Sequence, residues 1–379
     1  MTAVKNMTPL GTILAGRIRA IGPMSVPDFH NACLYDPQHG YYKTQNALGR
    51  LGDFCTAPEV SPLFGDVVGA FLLNQWLKQG SPNVFYVIEL GPGRGTLMNQ
   101  ILRVGALKPD FLKAVRVLLV ETHPLLKEVQ EATLKSYRAK GVSVRWCDCV
   151  PNVAAFLDDK KSPAFVVANE FFDVLPCQPF QKTEKGWCSR LIDFQEEKGF
   201  FWHLGAPDPR CVPPSADRYK VGDVFEDPAV AQGVLKDLLL MLQDRSLLFM
   251  CMDYGYEKPD VSAAGFKGDS WQAIYQKETA SPLAHPGLSD LSFHVNFGAM
   301  MSEAKAAGLD VSFGTQADFL STNGIMQRLQ ILTEKASAKE RAALKAGVVR
   351  LTDPVQMGAL FKVMVGIRRV EQGRACVAS

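Results

Sequence analysis

Residues 89–103 read ELGPGRGTLMNQILR, with glycines at 91, 93 and 95 directly after an apolar run and directly before a helical pattern. Residues without a Cβ let a chain turn sharply off a strand and let a ligand approach the backbone, and Pro92 stiffens that turn. The unpaired N–H groups at the following helix start attract negative charge. A dinucleotide fingerprint would place its third glycine three residues beyond the second. Here the spacing is G-x-G-x-G, and Glu89 stands two residues before Gly91, where a pyrophosphate has little use for a carboxylate. A ligand carrying an ammonium beside a carboxylate, such as the methionine end of S-adenosylmethionine, uses both signs at once. Glu121, 26 residues beyond Gly95, ends the next apolar run and is placed to accept from two ribose hydroxyls, a geometry that would serve NAD equally well. Asp148 follows the third run and is placed to meet an adenine amino group. Together Glu89, Gly91, Gly93, Gly95, Glu121 and Asp148 predict a nucleoside site built at successive strand ends.

Such a site requires parallel strands beneath it. Four apolar runs, at Phe85–Leu90, 115–121, 142–146 and 164–170, are rich in β-branched residues and do not alternate, as expected of strands buried on both faces. Helical patterns lie between them at 96–104, 124–140 and 152–158, so an α/β fold with a mostly parallel sheet is predicted. After Pro176 the chain changes to three short segments separated by Lys-Gly, which reads as an antiparallel meander inserted into that core. A helical stretch at 227–244 leads to a fifth buried strand at 246–255, and runs near 309–316 and 359–369 supply the last strands. The expected division is a helical N-terminal region over 1–80, a core over 81–176 and 245–379, and an inserted subdomain over 177–244.

Composition excludes several classes. Lys+Arg 41 against Asp+Glu 39 gives a net charge of +2 spread along the 379 residues, so no nucleic-acid or anionic-membrane footprint stands out. No window approaches the length of apolar sequence that a membrane helix needs. The nine cysteines are odd in number and lie mostly inside apolar runs, which suits a reducing compartment, and the bacterial cytoplasm is expected. Cys147 and Cys149 form a C-x-C pair with no second pair at zinc spacing, so no metal site is predicted.

The stretches ELGPGRGTLM, NEFFDVLPCQPF, LYDPQHGYY and GDFCTAPEVSPLFG, with DYGY and PGLSDLSFHVNF further on, resemble the MidA family of class I S-adenosylmethionine-dependent methyltransferases. The resemblance implies a Rossmann-like seven-stranded core. For mitochondrial members it implies arginine methylation of a complex I (NADH dehydrogenase) subunit in the matrix. It also suggests that the segment carrying Thr56 and Glu59 folds over the cofactor as a lid, with Thr56 on the cofactor and Glu59 toward the acceptor. Ser61 followed by Pro62 reads as an N-cap with proline at the first helical position.

Methyl transfer from a sulfonium needs in-line positioning, exclusion of water and a destination for the nucleophile's proton. A guanidinium is a poor nucleophile while its lone pairs are delocalised, so carboxylates that hold it are the natural device. NEFFD supplies Glu170 and Asp173 at the end of the fourth strand, and these are the expected catalytic groups. Asn169 is placed to hold a polar part of cofactor or acceptor, or to cap a helix. Tyr42 could wall an acceptor channel and His294 could reach the pocket, although each also suits ordinary packing. Two other readings remain at this point: a non-catalytic assembly chaperone of the same fold, and an NAD(P)-dependent oxidoreductase, which the third glycine's position disfavours.

Overall fold

A computed structural model describes residues 7–44, 56–159, 161–214, 216–258 and 269–370. The chain forms two compact units: 56–171 with 234–254 and 300–379, and 1–55 with 172–233 and 255–299. The crossing between them falls inside NEFFD, so Glu170 belongs to the first and Asp173 to the second.

In the first unit the four apolar runs form β1 (Phe85–Leu90), β2 (Val115–Val120), β3 (Ser143–Cys147) and β4 (Ala164–Asn169), followed by β5 (Leu247–Tyr256), β6 (Asp310–Thr315) and β7 (Phe361–Arg368). Their order across the sheet is β3-β2-β1-β4-β5-β7-β6. β1 to β5 are parallel, and β7 runs antiparallel to both β5 and β6. Every residue of β1 is buried, in keeping with a sequence that is apolar but for Glu89 and leaves no position for a solvent-facing residue.

Helices α1 (Pro62–Lys78), α2 (Thr96–Gly105) and α3 (Pro124–Ala139) dress this sheet. The Ser61 hydroxyl accepts from the Leu63 N–H at 3.3 Å and Pro62 opens α1. Gly65 lets α2 approach, since a Cβ there would stand 1.9 Å from Gln100 Oε1. The expected helix at 152–158 is instead a 3-10 segment, Val150–Phe156, begun by Pro151. Among the described residues no helix is long and apolar enough to cross a membrane.

The second unit holds the meander. The strand Gly186–Gln195 pairs antiparallel with Gln178–Thr183, with Gly199–Pro207 and, at residues 191–192, with Met24–Ser25, while Val224–Asp227 pairs antiparallel with Gln178–Thr183. A separate three-stranded sheet joins Glu278–Ala280, Gln272–Tyr275 and Asp290–Ser292. Trp271 anchors this unit's core. Its ring stacks on Phe293 with centroids 5.7 Å apart, and its indole N–H donates to His30 Nδ1 at 3.1 Å. That contact leaves His30 Nε2 to donate to the Val174 carbonyl at 2.9 Å, and burial lowers this histidine to about 4, so it stays neutral. Glu226 is equally buried and is pushed up to about 8 by that burial. It accepts from the Ser270 N–H at 2.8 Å and hydroxyl at 2.5 Å, while the same hydroxyl oxygen accepts from the His294 N–H.

Candidate active site

The glycine turn leaves β1 with φ of 61°, 51° and 76° at Gly91, Gly93 and Gly95, all in the left-handed region. Gly91 donates to the Val120 carbonyl, Gly95 donates to the Pro92 carbonyl, and Gly95 is the N-cap of α2. The turn is tight against protein on one side only. A Cβ on Gly91 would lie 3.0 Å from the Phe171 ring and one on Gly95 3.5 Å from the Gln130 backbone, whereas one on Gly93 would meet nothing within 4 Å among the described residues beyond its chain neighbours.

Glu89 is buried at 3% exposure, and its Oε2 has no hydrogen-bond partner among the described residues. Burial without a compensating partner pushes its carboxyl up to about 8. A buried carboxyl oxygen left unpaired is costly, so its persistence beside an open glycine turn marks a place for a ligand donor. Glu121 lies just beyond β2 and is buried; its N–H donates to the Cys147 carbonyl. Burial raises its carboxyl, and the His123 N–H on Oε1 at 2.8 Å and the Gln130 amide on Oε2 at 3.1 Å hold the rise in check. An orphaned acid, an open approach over Gly93 and a second buried acid at the neighbouring strand end fit the ammonium, carboxylate and ribose of S-adenosylmethionine. Asp148 is more exposed than these, and its carboxylate is paired with Lys127.

The predicted segment around Thr56 opens a one-turn helix, Ala57–Val60, in which Thr56 is the N-cap residue but its side chain makes no cap bond. Residues 52–55 of the family motif lie outside the described residues. The Ala57 N–H donates to Glu170 Oε1 at 3.1 Å, and Asn169 Nδ2 donates to the same oxygen at 3.2 Å. Asn169 Oδ1 is buried and unpaired among the described residues. Glu170 itself has φ 51°, rare for a residue with a side chain, and its N–H is held by the Met252 carbonyl. Strain of this sort persists where surrounding structure over-determines it, and it clusters at functional positions. Glu59 is 3.8 Å from Arg94 of the glycine turn.

The second unit gathers a different set. Asp173 is buried and its carbonyl accepts from the Phe293 N–H at 2.8 Å. The Tyr42 hydroxyl is raised well above its ordinary value by burial, then by the charges of Asp290 and Asp173 and by Tyr35 and Tyr41. Tyr42, Asp173 and Asp290 therefore share one acidic neighbourhood, and Asp290 was not anticipated from the sequence. His294 is partly buried, which lowers its imidazole, and its backbone is tied to Ser270.

These features agree with what the chain resembles as a whole. Residues 67–314 match the family model of S-adenosyl-L-methionine-dependent methyltransferases. The chain belongs to this family. A mouse relative, the mitochondrial protein arginine methyltransferase NDUFAF7, is 31% identical, with 94% of this chain and 84% of the relative covered. Its human counterpart is 29% identical, with 98% and 87% covered. A solved structure from Burkholderia thailandensis bound to S-adenosyl-homocysteine is 26% identical, with a TM-score of 0.79 and 95% and 92% covered. The protein is a class I α/β methyltransferase, and S-adenosylmethionine is its cofactor.

One pH effect follows from Glu89. If Glu89 meets the ligand's ammonium, its proton must leave before the two can pair, so affinity should fall as pH drops below the carboxyl's value of about 8. Isothermal titration with S-adenosylhomocysteine is expected to give a dissociation constant rising by up to about tenfold per pH unit on that side. The slope should become shallower in Glu89→Gln, and a flat profile in the parent protein would remove Glu89 from the ligand.

Proposed function

We propose that this methyltransferase modifies an arginine side chain on a partner protein, a subunit of respiratory complex I or its homologue, in the bacterial cytoplasm. Glu89 and the Gly91–Gly93–Gly95 turn would take the methionine end of the cofactor, Glu121 the ribose and Asp148 the adenine, with Thr56 beside them. When bound, S-adenosylmethionine supplies an electrophilic methyl group on a sulfonium. The protein's own groups must hold the guanidinium, strip water from it and take up the proton that its nitrogen loses.

The observation that carries this reading is the acidic neighbourhood of Asp173, Asp290 and Tyr42: two carboxylates can grip a guanidinium by charge-assisted hydrogen bonds. The names of the mouse and human relatives support an arginine acceptor. Asn169, Glu59 and His294 would complete the acceptor contacts, and Glu170, three residues before Asp173, would orient the acceptor or receive its proton. The free thiols of all seven described cysteines suit a reducing compartment.

Mass spectrometry of complex I subunits from cells with and without this protein tests the reading. A methylarginine present only with the intact protein is expected. Unchanged arginines on every subunit, alongside methylation of another residue type or protein, would overturn the acceptor assignment.

A further inference from the structure

Gln130 sits on α3, nine residues after Glu121, with no exposed surface. Its side chain joins three strand ends. Nε2 donates to the Gly93 carbonyl at 2.7 Å and to Glu121 Oε2 at 3.1 Å, and Oε1 accepts from the Trp146 indole at 2.8 Å. The indole can only donate, so it fixes which end of the amide is oxygen and leaves both amide hydrogens for the glycine turn and the acid. These partners follow β1, follow β2 and lie within β3, respectively. No other side chain of this size offers two donors and an acceptor in that plane.

We infer that Gln130 is a positioning residue for the cofactor, locking the Gly93 carbonyl and the Glu121 carboxylate into one frame so that Glu121 meets the ribose hydroxyls ionised and correctly aimed. This rests on the reading that the glycine turn and Glu121 hold the cofactor. Burial raises the Glu121 carboxyl, and the Gln130 amide is one of the groups that offset it. The others are the His123 and Thr122 N–H groups and the charge of Lys127 on α3, which is shared with Asp148. Cys147 of β3 touches Glu121 through its carbonyl, and its thiol is raised by burial. Glu89 on β1, the strand next to β2, is also raised, by its own burial rather than by an interaction with the amide.

The test is the pH profile of S-adenosylhomocysteine binding to the full chain by titration calorimetry, with thermal unfolding recorded on the same samples. Gln130→Met keeps the volume and removes both donors. Its affinity is expected to fall about tenfold near pH 8.5 and further near pH 6.5, because Glu121 retains its proton to higher pH without the amide. Gln130→Glu should slope the opposite way. Its introduced carboxyl can donate a shared proton to Glu121 at low pH and repels it once both ionise. In a Glu121→Gln background neither change should alter the pH dependence. Profiles parallel to the parent in both variants, with only the unfolding temperature lowered, would make Gln130 a structural fastener and overturn the inference. Should Gln130→Met not fold, the reversed slope of Gln130→Glu decides alone. Failure of the underlying reading looks different: Glu121→Gln and Gly93→Val would then bind S-adenosylhomocysteine as the parent does.

Discussion

Gly93→Val is expected to abolish S-adenosylmethionine binding while leaving the protein folded. Two effects separate cleanly at this position. The left-handed φ of 51° disfavours any Cβ, at about 1–2 kcal/mol, a loss that a domain of ordinary stability survives. Leaving aside its chain neighbours, no atom of the described residues lies within 4 Å of the added Cβ, so the branched side chain enters open space, where the proposed site would hold the ligand. A loss of more than about a hundredfold in affinity, roughly 2.7 kcal/mol, should follow from that exclusion. Calorimetry with S-adenosylhomocysteine and a melting curve suffice. Unchanged affinity in a folded variant would mean that the cofactor lies elsewhere.

The acids of NEFFD should behave in the opposite way, with Glu170→Gln and Asp173→Asn keeping the cofactor and losing the reaction. A glutamine at 170 still offers an oxygen to the Ala57 N–H, so the segment it fastens stays in place while the charge disappears. Asp173 keeps its backbone contact with Phe293 whatever its side chain. Turnover is expected to drop by about a hundredfold or more, the range typical of a removed proton acceptor, with cofactor affinity changed by no more than about twofold. Single-turnover methylation of the identified client, measured beside calorimetry, separates these quantities. Undiminished turnover in Glu170→Gln would reduce that residue to a fastener of the 56–57 turn and leave Asp173, with Asp290, as the acceptor's acid.

Much of the cofactor side was legible because its signals are local. β-Branched runs without alternation announce strands buried on both faces, and β1 to β5 appear within a residue or two of the expected positions. A Ser-Pro pair sets the start of α1 through its own hydroxyl. The glycine spacing specifies a turn that only glycine adopts cheaply, and that turn is present with all three left-handed conformations. The meander was equally readable from its Lys-Gly punctuation. Strands 224–227, 272–275 and 290–292 were not, because they are three or four residues long and take their place from antiparallel partners rather than from any pattern of their own.

The residues that the sequence did not announce are those whose meaning comes from distant neighbours. Gln130 reads as an unremarkable polar residue on an amphipathic helix until its amide is found on Gly93 and Trp146. Asp290 gains its interest from Tyr42 and Asp173, and Trp271 from a histidine 241 residues away. Asp148, expected near adenine, has its carboxylate on Lys127.

By itself the sequence determined the class of fold and the cofactor, since hydrophobic period and turn chemistry act over a few residues and survive in any context. Tertiary structure alone decided the antiparallel β7 between β5 and β6, the Glu89 Oε2 without a partner among the described residues, the left-handed Glu170 and the amide that ties the glycine turn to Glu121 and Trp146. Those depend on burial and on pairing between segments far apart in the chain, where desolvation sets a charge's behaviour and only the folded geometry says which donors reach it.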